Sequence, residues 1–222
     1  MRILPCLMGM TVASFLLAGT ALADDKSKMG ANSGFLGDAY SSLQEVKSPS
    51  AQKAKRWIAP GVALGSYEAV VLEKTVLYPA PQSTDQVSLA TLNQISAYLD
   101  EALNRELNGV VRLVPEPGPK TLRFRPAITA AAAKDMGLKP YQLLPVAFIL
   151  TMGQSAKKAA LALEYEVIDT ETGAVVAAGM REGEGKELKS MTDTLTLDQF
   201  KPVIDTWAKD ARAFMEAARA GK

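Results

Sequence analysis

The chain has 222 residues, a formal net charge of +1, one cysteine and no histidine. Without histidine, Ser-His-Asp and Cys-His catalysis and histidine-ligated zinc are excluded. The balanced charge argues against a nucleic-acid partner, which would require a basic footprint, and a single cysteine cannot form an intramolecular disulfide.

The first residues have the pattern of a secretory signal peptide. Arg2 precedes an apolar run over residues 8–17, and "ALA" at positions 21–23 offers a cleavage site. The run has about 10 residues, whereas a membrane-spanning helix needs about 20. We therefore expect an exported, periplasmic protein that is cleaved after Ala23.

The stretch "LLAGT" resembles the end of a lipoprotein signal, with one difference. Thr20 stands where such a signal carries the cysteine that receives the lipid, and the only cysteine, Cys6, lies before the apolar run. A thioether-linked lipid needs a cysteine at the first position of the mature chain. The sequence therefore predicts no lipid anchor.

The remaining sequence divides into an N-terminal arm and one domain. Residues 24–66 are rich in Ser, Gly, Ala and Lys, which predicts an extended arm with one short helix near residues 38–45. Residues 67–222 have the length and the apolar content of a single globular domain. We expect the arm to lie over this domain.

The domain begins with a predicted strand and a predicted helix. "YEAVVLEKTVLYP" (residues 67–79) is rich in Val, Leu and Tyr, which favours a strand. Apolar residues then recur every three or four positions from Leu89 to Leu107, with Ser88 as N-cap and Asn108-Gly109 as the stop signal. This spacing predicts an amphipathic helix.

Two short strands are predicted next, over residues 110–115 and 121–129. In the second strand, apolar residues alternate with Arg123 and Arg125, so these arginines form either a strip that binds anions or nucleic acid or a face that meets water. We favour the face that meets water. The apolar stretch at residues 130–154 fits a buried strand or a helix, with a slight preference for the helix.

A β-hairpin follows, with strands over residues 159–168 and 174–181 joined by the turn "DTETG". The segment "REGEGKELK" (residues 181–189) is predicted to be a flexible, solvated loop. The last element is a helix with apolar residues at helical spacing from Phe200 to Ala218. Thr196 and Gln199 match a capping box, but Pro202 would then lie too deep, so Asp198 is the predicted N-cap.

Hairpins dominate this order of elements, and no regular strand-helix alternation persists. The sequence therefore predicts an α+β fold of two layers. One layer is a mostly antiparallel or mixed sheet, and the other consists of two main helices packed on one face of that sheet.

Two pairs of residues deserve comparison with known catalytic arrangements. Ser155 and Lys158 match the S-x-x-K spacing, in which a neutral lysine deprotonates the serine. The pattern is short, and no S-D-N or K-T-G partner follows it. We therefore expect no Ser-Lys dyad here.

The second pair is Glu164 and Glu166, which lie on one face of the predicted hairpin strand. Paired carboxylates hydrolyse glycosides. The apolar residues of this strand alternate with the two glutamates, which places both carboxylates on the predicted solvent face. We expect a solvated surface here, with no catalytic, cofactor-binding or metal-binding residues.

Four segments resemble a bacterial family known as domain of unknown function 3313: "SGFLGDAYSSLQ", "YEAVVLEKTVLYP", "GPKTLRFRPAIT" and "ALEYEVIDTETGAVVAA". The resemblance extends over residues 33–218. Members are typically envelope lipoproteins, so it implies a Gram-negative envelope location and no assigned catalytic residue. The chain departs from the family pattern at Ala39 and at Thr20.

The leading functional hypothesis is a non-catalytic accessory or binding module of the periplasm, with an envelope protein as its partner and an open oligomeric state. A cell-wall or glycan hydrolase that uses one of the two residue pairs is the alternative. A third hypothesis is a small-ligand carrier with a cleft between arm and sheet, lined by Tyr40, Trp57 and Tyr67. We favour a role for these aromatic residues in fixing the arm to the domain.

Overall fold

One mixed β-sheet and two long helices make up the fold. The computed structural model describes residues 32–81, 83–135, 157–190 and 192–221. Within these ranges eight strands form a single sheet, and both helices contribute to the apolar core on one of its faces. The predicted α+β class is confirmed.

The strands are β1 (Gln44–Lys47), β2 (Lys53–Ile58), β3 (Ala69–Leu72), β4 (Val76–Leu77), β5 (Arg112–Leu113), β6 (Thr121–Asp135), β7 (Lys157–Asp169) and β8 (Val175–Leu188). Their order in the sheet is β1-β2-β8-β7-β6-β3-β5, and β4 also pairs with β6. The strands from β1 to β6 in this order are antiparallel, whereas β3 and β4 run parallel to β6. The sheet is therefore mixed, with three long antiparallel strands at its centre.

Helix α1 (Leu89–Leu107) has the limits that the sequence predicts. The Ser88 side chain accepts a hydrogen bond from the Thr91 backbone N–H at 3.0 Å, and Asn108 is the C-cap. In the apolar stripe of the helix, Leu92, Ile95 and Leu99 are fully buried in the core, whereas Leu89 at the start of the helix is exposed. The regular spacing of the apolar residues thus determines which face is buried.

Helix α2 (Leu197–Arg219) begins earlier than predicted. Thr196 is its N-cap, and the Gln199 side-chain oxygen accepts a hydrogen bond from the Thr196 N–H at 2.8 Å. The prediction of Asp198 as N-cap is wrong. Proline removes one backbone donor, and the helix tolerates Pro202 because burial of its apolar face outweighs that loss.

Strand β8 continues to Leu188, so the predicted loop at residues 181–189 is wrong. Helix α2 crosses β8 closely at two glycines. A Cβ atom on Gly183 would overlap the Val203 side chain, and one on Gly185 would overlap the Gln199 backbone oxygen. These glycines therefore allow the helix to pack closely on the sheet, and they do not indicate a flexible loop.

The apolar stretch that the sequence left undecided is extended where the structure describes it. Residues 130–135 belong to β6, so the slight preference for a helix is wrong there. Ala131 and Ala133 are buried, and their small side chains fit beneath the helices. Residues 136–156 lie outside the described residues.

The N-terminal segment contributes a 3-10 helix (Gly37–Ser42) and the strands β1 and β2. A short helix is predicted there, but the two strands are not, because they are short and largely polar. Both strands extend the sheet beyond β8. In the described ranges neither helix is long and apolar enough to cross a membrane.

Candidate functional site

A cavity lies between the two helices and the centre of the sheet. Its volume is about 140 Å³. Most of its wall is apolar, with side chains from α1, from the central strands and from α2, among them Leu99, Leu103, Phe124, Leu163, Phe214 and Met215. The cavity is large enough for a small organic molecule, since an engineered apolar cavity of about 150 Å³ binds benzene.

One end of the cavity holds a buried ion pair. Arg181 Nη2 lies 2.7 Å from Asp210 Oδ2, and the two residues are 8% and 5% exposed. The Ser50 backbone N–H and hydroxyl also donate to Asp210, each at 2.8 Å. Burial alone would raise the pKa of the Asp210 carboxyl, but the hydrogen bonds from Arg181 and Ser50 outweigh it and hold the pKa below its usual range.

Two hydrogen-bond donors at this end have no acceptor among the described residues. They are Arg181 Nε and Trp207 Nε1, both buried. The guanidinium carbon of Arg181 lies 5.3 Å from the centroid of the Trp207 ring, so the two side chains are neighbours. A buried donor without a partner costs about 1–3 kcal/mol.

A second arginine, Arg56 on β2, lines the same cavity. Its guanidinium carbon lies 4.4 Å from the centroid of the Phe214 ring. Among the described residues no carboxylate forms an ion pair with Arg56. Because Asp210 is already paired with Arg181, the charged lining residues leave one positive charge in excess.

Glu164 is buried on the opposite face of the sheet, and its predicted exposure to solvent is wrong. The side chain is 1% exposed. Its Oε2 accepts hydrogen bonds from the Ser33 hydroxyl at 2.9 Å and from the Tyr40 hydroxyl at 2.5 Å. Burial raises the pKa of the Glu164 carboxyl, although these hydrogen bonds oppose the rise. The N-terminal segment covers this face, which the alternating pattern of one strand cannot reveal.

Glu166 is also buried, at 9% exposure, so its predicted position in solvent is wrong as well. Arg125 Nη1 donates to Glu166 at 2.8 Å, and Arg125 Nε lies 3.3 Å from Glu73. The two glutamates thus share a face but have different partners. Lys158 pairs with Glu184 at 3.4 Å, and Ser155 lies outside the described residues. Of the described members of the two pairs, Glu164, Glu166 and Lys158, none lines the cavity.

The three aromatic residues of the carrier hypothesis do not line the cavity. Tyr40 covers Glu164. Tyr67 donates to Asp169 at 2.9 Å. Trp57 follows Arg56 on β2, so its side chain lies on the other face of the sheet.

Sequence reasoning missed the residues at the polar end of the cavity, because they come from three separate elements. One signal was available in α2. Asp210 lies three residues after Trp207, within the apolar stripe of the helix, and a carboxylate there indicates a buried partner. The described residues contain no group of three or more metal-binding side chains.

Residues 31–211 match the model of a family described as a protein of unknown function, DUF3313. The chain belongs to this family. The match includes all strands of the sheet, helix α1 and residues 197–211 of α2, whereas Phe214 and Met215 of the cavity wall lie beyond it. The resemblance predicted from the sequence motifs is confirmed.

The chain is similar in sequence to a bacterial lipoprotein. The chain is 31% identical over 204 residues to the "uncharacterized lipoprotein YdcL" of Escherichia coli K12, covering 90% of this chain and 91% of the relative. A lipoprotein has a lipid anchor, so this finding contradicts the prediction of no lipid anchor. That prediction rested on Thr20 and on the early position of Cys6, and both residues lie outside the described residues.

Several solved structures are loosely similar. Protein XCC0632 of Xanthomonas campestris has a TM-score of 0.45 and 11% identity, over 74% of this chain and 94% of that one. Hypothetical protein CT253 of Chlamydia trachomatis has a TM-score of 0.43 and 8% identity, over 71% and 100%. A minor lipoprotein of Acinetobacter baumannii has a TM-score of 0.37 and 12% identity, over 69% and 95%. Structural similarity of this degree gives no information about ligands.

Proposed function

We propose that the protein is a non-catalytic binding module of the cell envelope that holds a small apolar ligand between its helices and its sheet. The observation that carries the proposal is the apolar cavity with two buried, unpartnered donors at one end. Ligand sites are typically apolar with a few placed polar groups. This cavity has that composition.

A non-catalytic role fits the carboxylates that remain. Glu164 is held by Ser33 and Tyr40 beneath the N-terminal segment, and Glu166 is held by Arg125. Both lie on the face of the sheet that is opposite the cavity. A bound ligand would therefore not meet either carboxylate.

The proposed location is the periplasmic side of the envelope, after cleavage of the first 23 residues. The signal-peptide pattern and the lipoprotein relative support export. The mass of the chain purified from the envelope of a Gram-negative host measures the processing. A chain that begins at Asp24 is expected, and a chain that retains residues 1–23 would contradict the proposed export.

Ligand binding is tested with 1-hexanol, a neutral probe whose size matches the cavity. We expect a rise in the melting temperature, because a ligand at about 100 times its Kd adds about 2.7 kcal/mol to the free energy of unfolding. Ala211→Leu places a larger side chain on the cavity wall and is expected to abolish the rise.

Ala213→Leu is the matched control. Ala213 lies on the same helix, is partly buried like Ala211, and does not line the cavity. The control is expected to respond to 1-hexanol as the unmodified protein does. No rise in the unmodified protein, or the same rise in all three proteins, would overturn the proposed cavity function.

A further inference from the structure

The polar end of the cavity has the electrostatic character of an anion site. Its charged lining residues are two arginines and one aspartate within the described part of the chain. Asp210 receives hydrogen bonds from Arg181 and from Ser50, and its single negative charge is matched by the charge of Arg181. One positive charge is therefore uncompensated beside a low-polarity wall, where an opposite charge interacts most strongly.

Both cations act on the same point of the cavity. Burial raises the pKa of the Tyr165 hydroxyl, and the charges of Arg56 and Arg181 both oppose that rise. Tyr165 itself lines the cavity, and its ring lies directly over Gly179. In the register of β2 and β8, Arg56 lies opposite Gly179 and Arg181 lies opposite Ala54, so both arginines project from the cavity face of adjacent strands.

The two unpartnered nitrogens at this end are donors only, whereas the Tyr165 hydroxyl beside them can donate or accept. Neither Arg181 Nε nor Trp207 Nε1 can accept a hydrogen bond. A ligand that pairs with the arginine and tryptophan nitrogens must therefore bring acceptors. A carboxylate offers two acceptor oxygens and one negative charge, and it matches the planar donors of arginine.

We infer that the cavity selects a monocarboxylate with a small apolar body, whose carboxylate lies between Arg56, Arg181 and Trp207. This inference rests on the proposed function, since it specifies the ligand of the same cavity. A single charge matches the single excess positive charge, whereas a dianion would exceed it. The volume of about 140 Å³ sets the apolar body that the cavity can hold near the size of a benzene ring.

The test compares hexanoate with 1-hexanol by isothermal titration calorimetry at pH 7.5, where hexanoate is ionised. The two probes share one apolar chain and differ in charge at the head. We expect hexanoate to bind the unmodified protein at least about tenfold more tightly than 1-hexanol does, because a charge-assisted hydrogen bond contributes that much affinity. Methyl hexanoate keeps the carbonyl without the charge and is expected to bind like 1-hexanol.

Arg56→Met removes the excess charge and keeps an apolar stem of similar length. We expect about a tenfold loss of hexanoate affinity and an unchanged affinity for 1-hexanol. Arg56→Lys restores the charge and is expected to recover most of the preference. Lys55→Met is the matched control, because Lys55 is the neighbouring cation of β2 on the opposite face of the sheet.

The outcomes separate this inference from the proposed function. Equal binding of hexanoate and 1-hexanol, or a preference that Arg56→Met leaves intact, overturns the carboxylate selectivity while the apolar site stands. Tighter binding of methyl hexanoate than of hexanoate also overturns the selectivity and points to a neutral ester as ligand. Failure of every probe to bind overturns the proposed function itself.

Discussion

The ion pair of Arg181 and Asp210 is the residue contact on which the polar end of the cavity depends. Both side chains are buried, and Asp210 also anchors Ser50 in the turn between β1 and β2. Removing one partner of such a pair leaves a charge buried without compensation. The pair therefore connects the N-terminal strands to α2.

Asp210→Asn is expected to lower the free energy of unfolding by about 3–5 kcal/mol, because Arg181 loses its counter-charge. Urea denaturation followed by circular dichroism measures this loss. Asp205→Asn on the same helix is the control. Asp205 pairs with Arg105 at 2.9 Å, but both side chains are substantially exposed, so the expected cost is below about 1 kcal/mol. Equal losses in the two variants would contradict the account of the pair.

The stability of the folded protein depends on pH because of Glu164. Its pKa is raised in the folded protein, so between the ordinary pKa and the raised one the folded state binds more protons than the unfolded state. The contribution of Glu164 is then fully present at pH values below the ordinary pKa and is lost as the pH rises through the folded pKa.

Glu164→Gln is expected to remove this loss, because glutamine keeps an acceptor for Ser33 and Tyr40 without a buried charge. The variant should unfold at a higher urea concentration than the unmodified protein at pH 8, and the difference should shrink as the pH falls toward 4. A difference that grows as the pH falls would show the opposite sign and contradict the raised pKa.

At the scale of elements, the regular helix was predictable and the glycine-containing strand was not. Apolar spacing and the Ser88 cap locate α1, because both signals are local in the sequence. The second half of β8 contains glycines and charges that are typical of a loop. Its glycines are explained only by α2, which lies far away in the sequence and packs directly on them.

Gly185→Ala is expected to destabilise the protein by about 1–3 kcal/mol, because the added methyl group overlaps a backbone oxygen of α2 and the helix must move. Thermal or urea denaturation measures the change. Gly118→Ala is the control, since a Cβ atom there meets only Thr121 Oγ1 at an ordinary distance of 3.9 Å. If Gly185→Ala were as stable as the control, the helix would not approach β8 as described.

Ser88→Ala removes the side-chain acceptor of the Thr91 N–H at the start of α1. The expected loss of unfolding free energy is about 1 kcal/mol. Ser96→Ala makes the same substitution inside the helix, where alanine is favourable, and should leave stability unchanged or slightly higher. Urea denaturation of both variants compares the two positions. A larger loss for Ser96→Ala would contradict the cap.

For the whole molecule, the sequence predicts the class of fold, but the cavity arises only from its assembly. Arg56, Arg181 and Asp210 lie on β2, β8 and α2, and each is unremarkable in its local pattern except the aspartate within an apolar stripe. The burial of Glu164 has the same origin, because the covering Ser33 and Tyr40 come from a segment more than 100 residues away. The alternation of apolar and polar residues along one strand indicates that the strand has two faces. It does not show which other segments of the chain cover each face.

Methionine methyl NMR tests most directly whether the cavity between the helices and the sheet binds a small apolar ligand. Met215 lines the cavity, whereas Met180 is buried on the opposite face of the sheet. Titration with 1-hexanol is predicted to shift the Met215 methyl resonance in a saturable manner and to leave the Met180 resonance in place. A Met215 resonance that does not move, or equal shifts of both methyl groups, would contradict the claim.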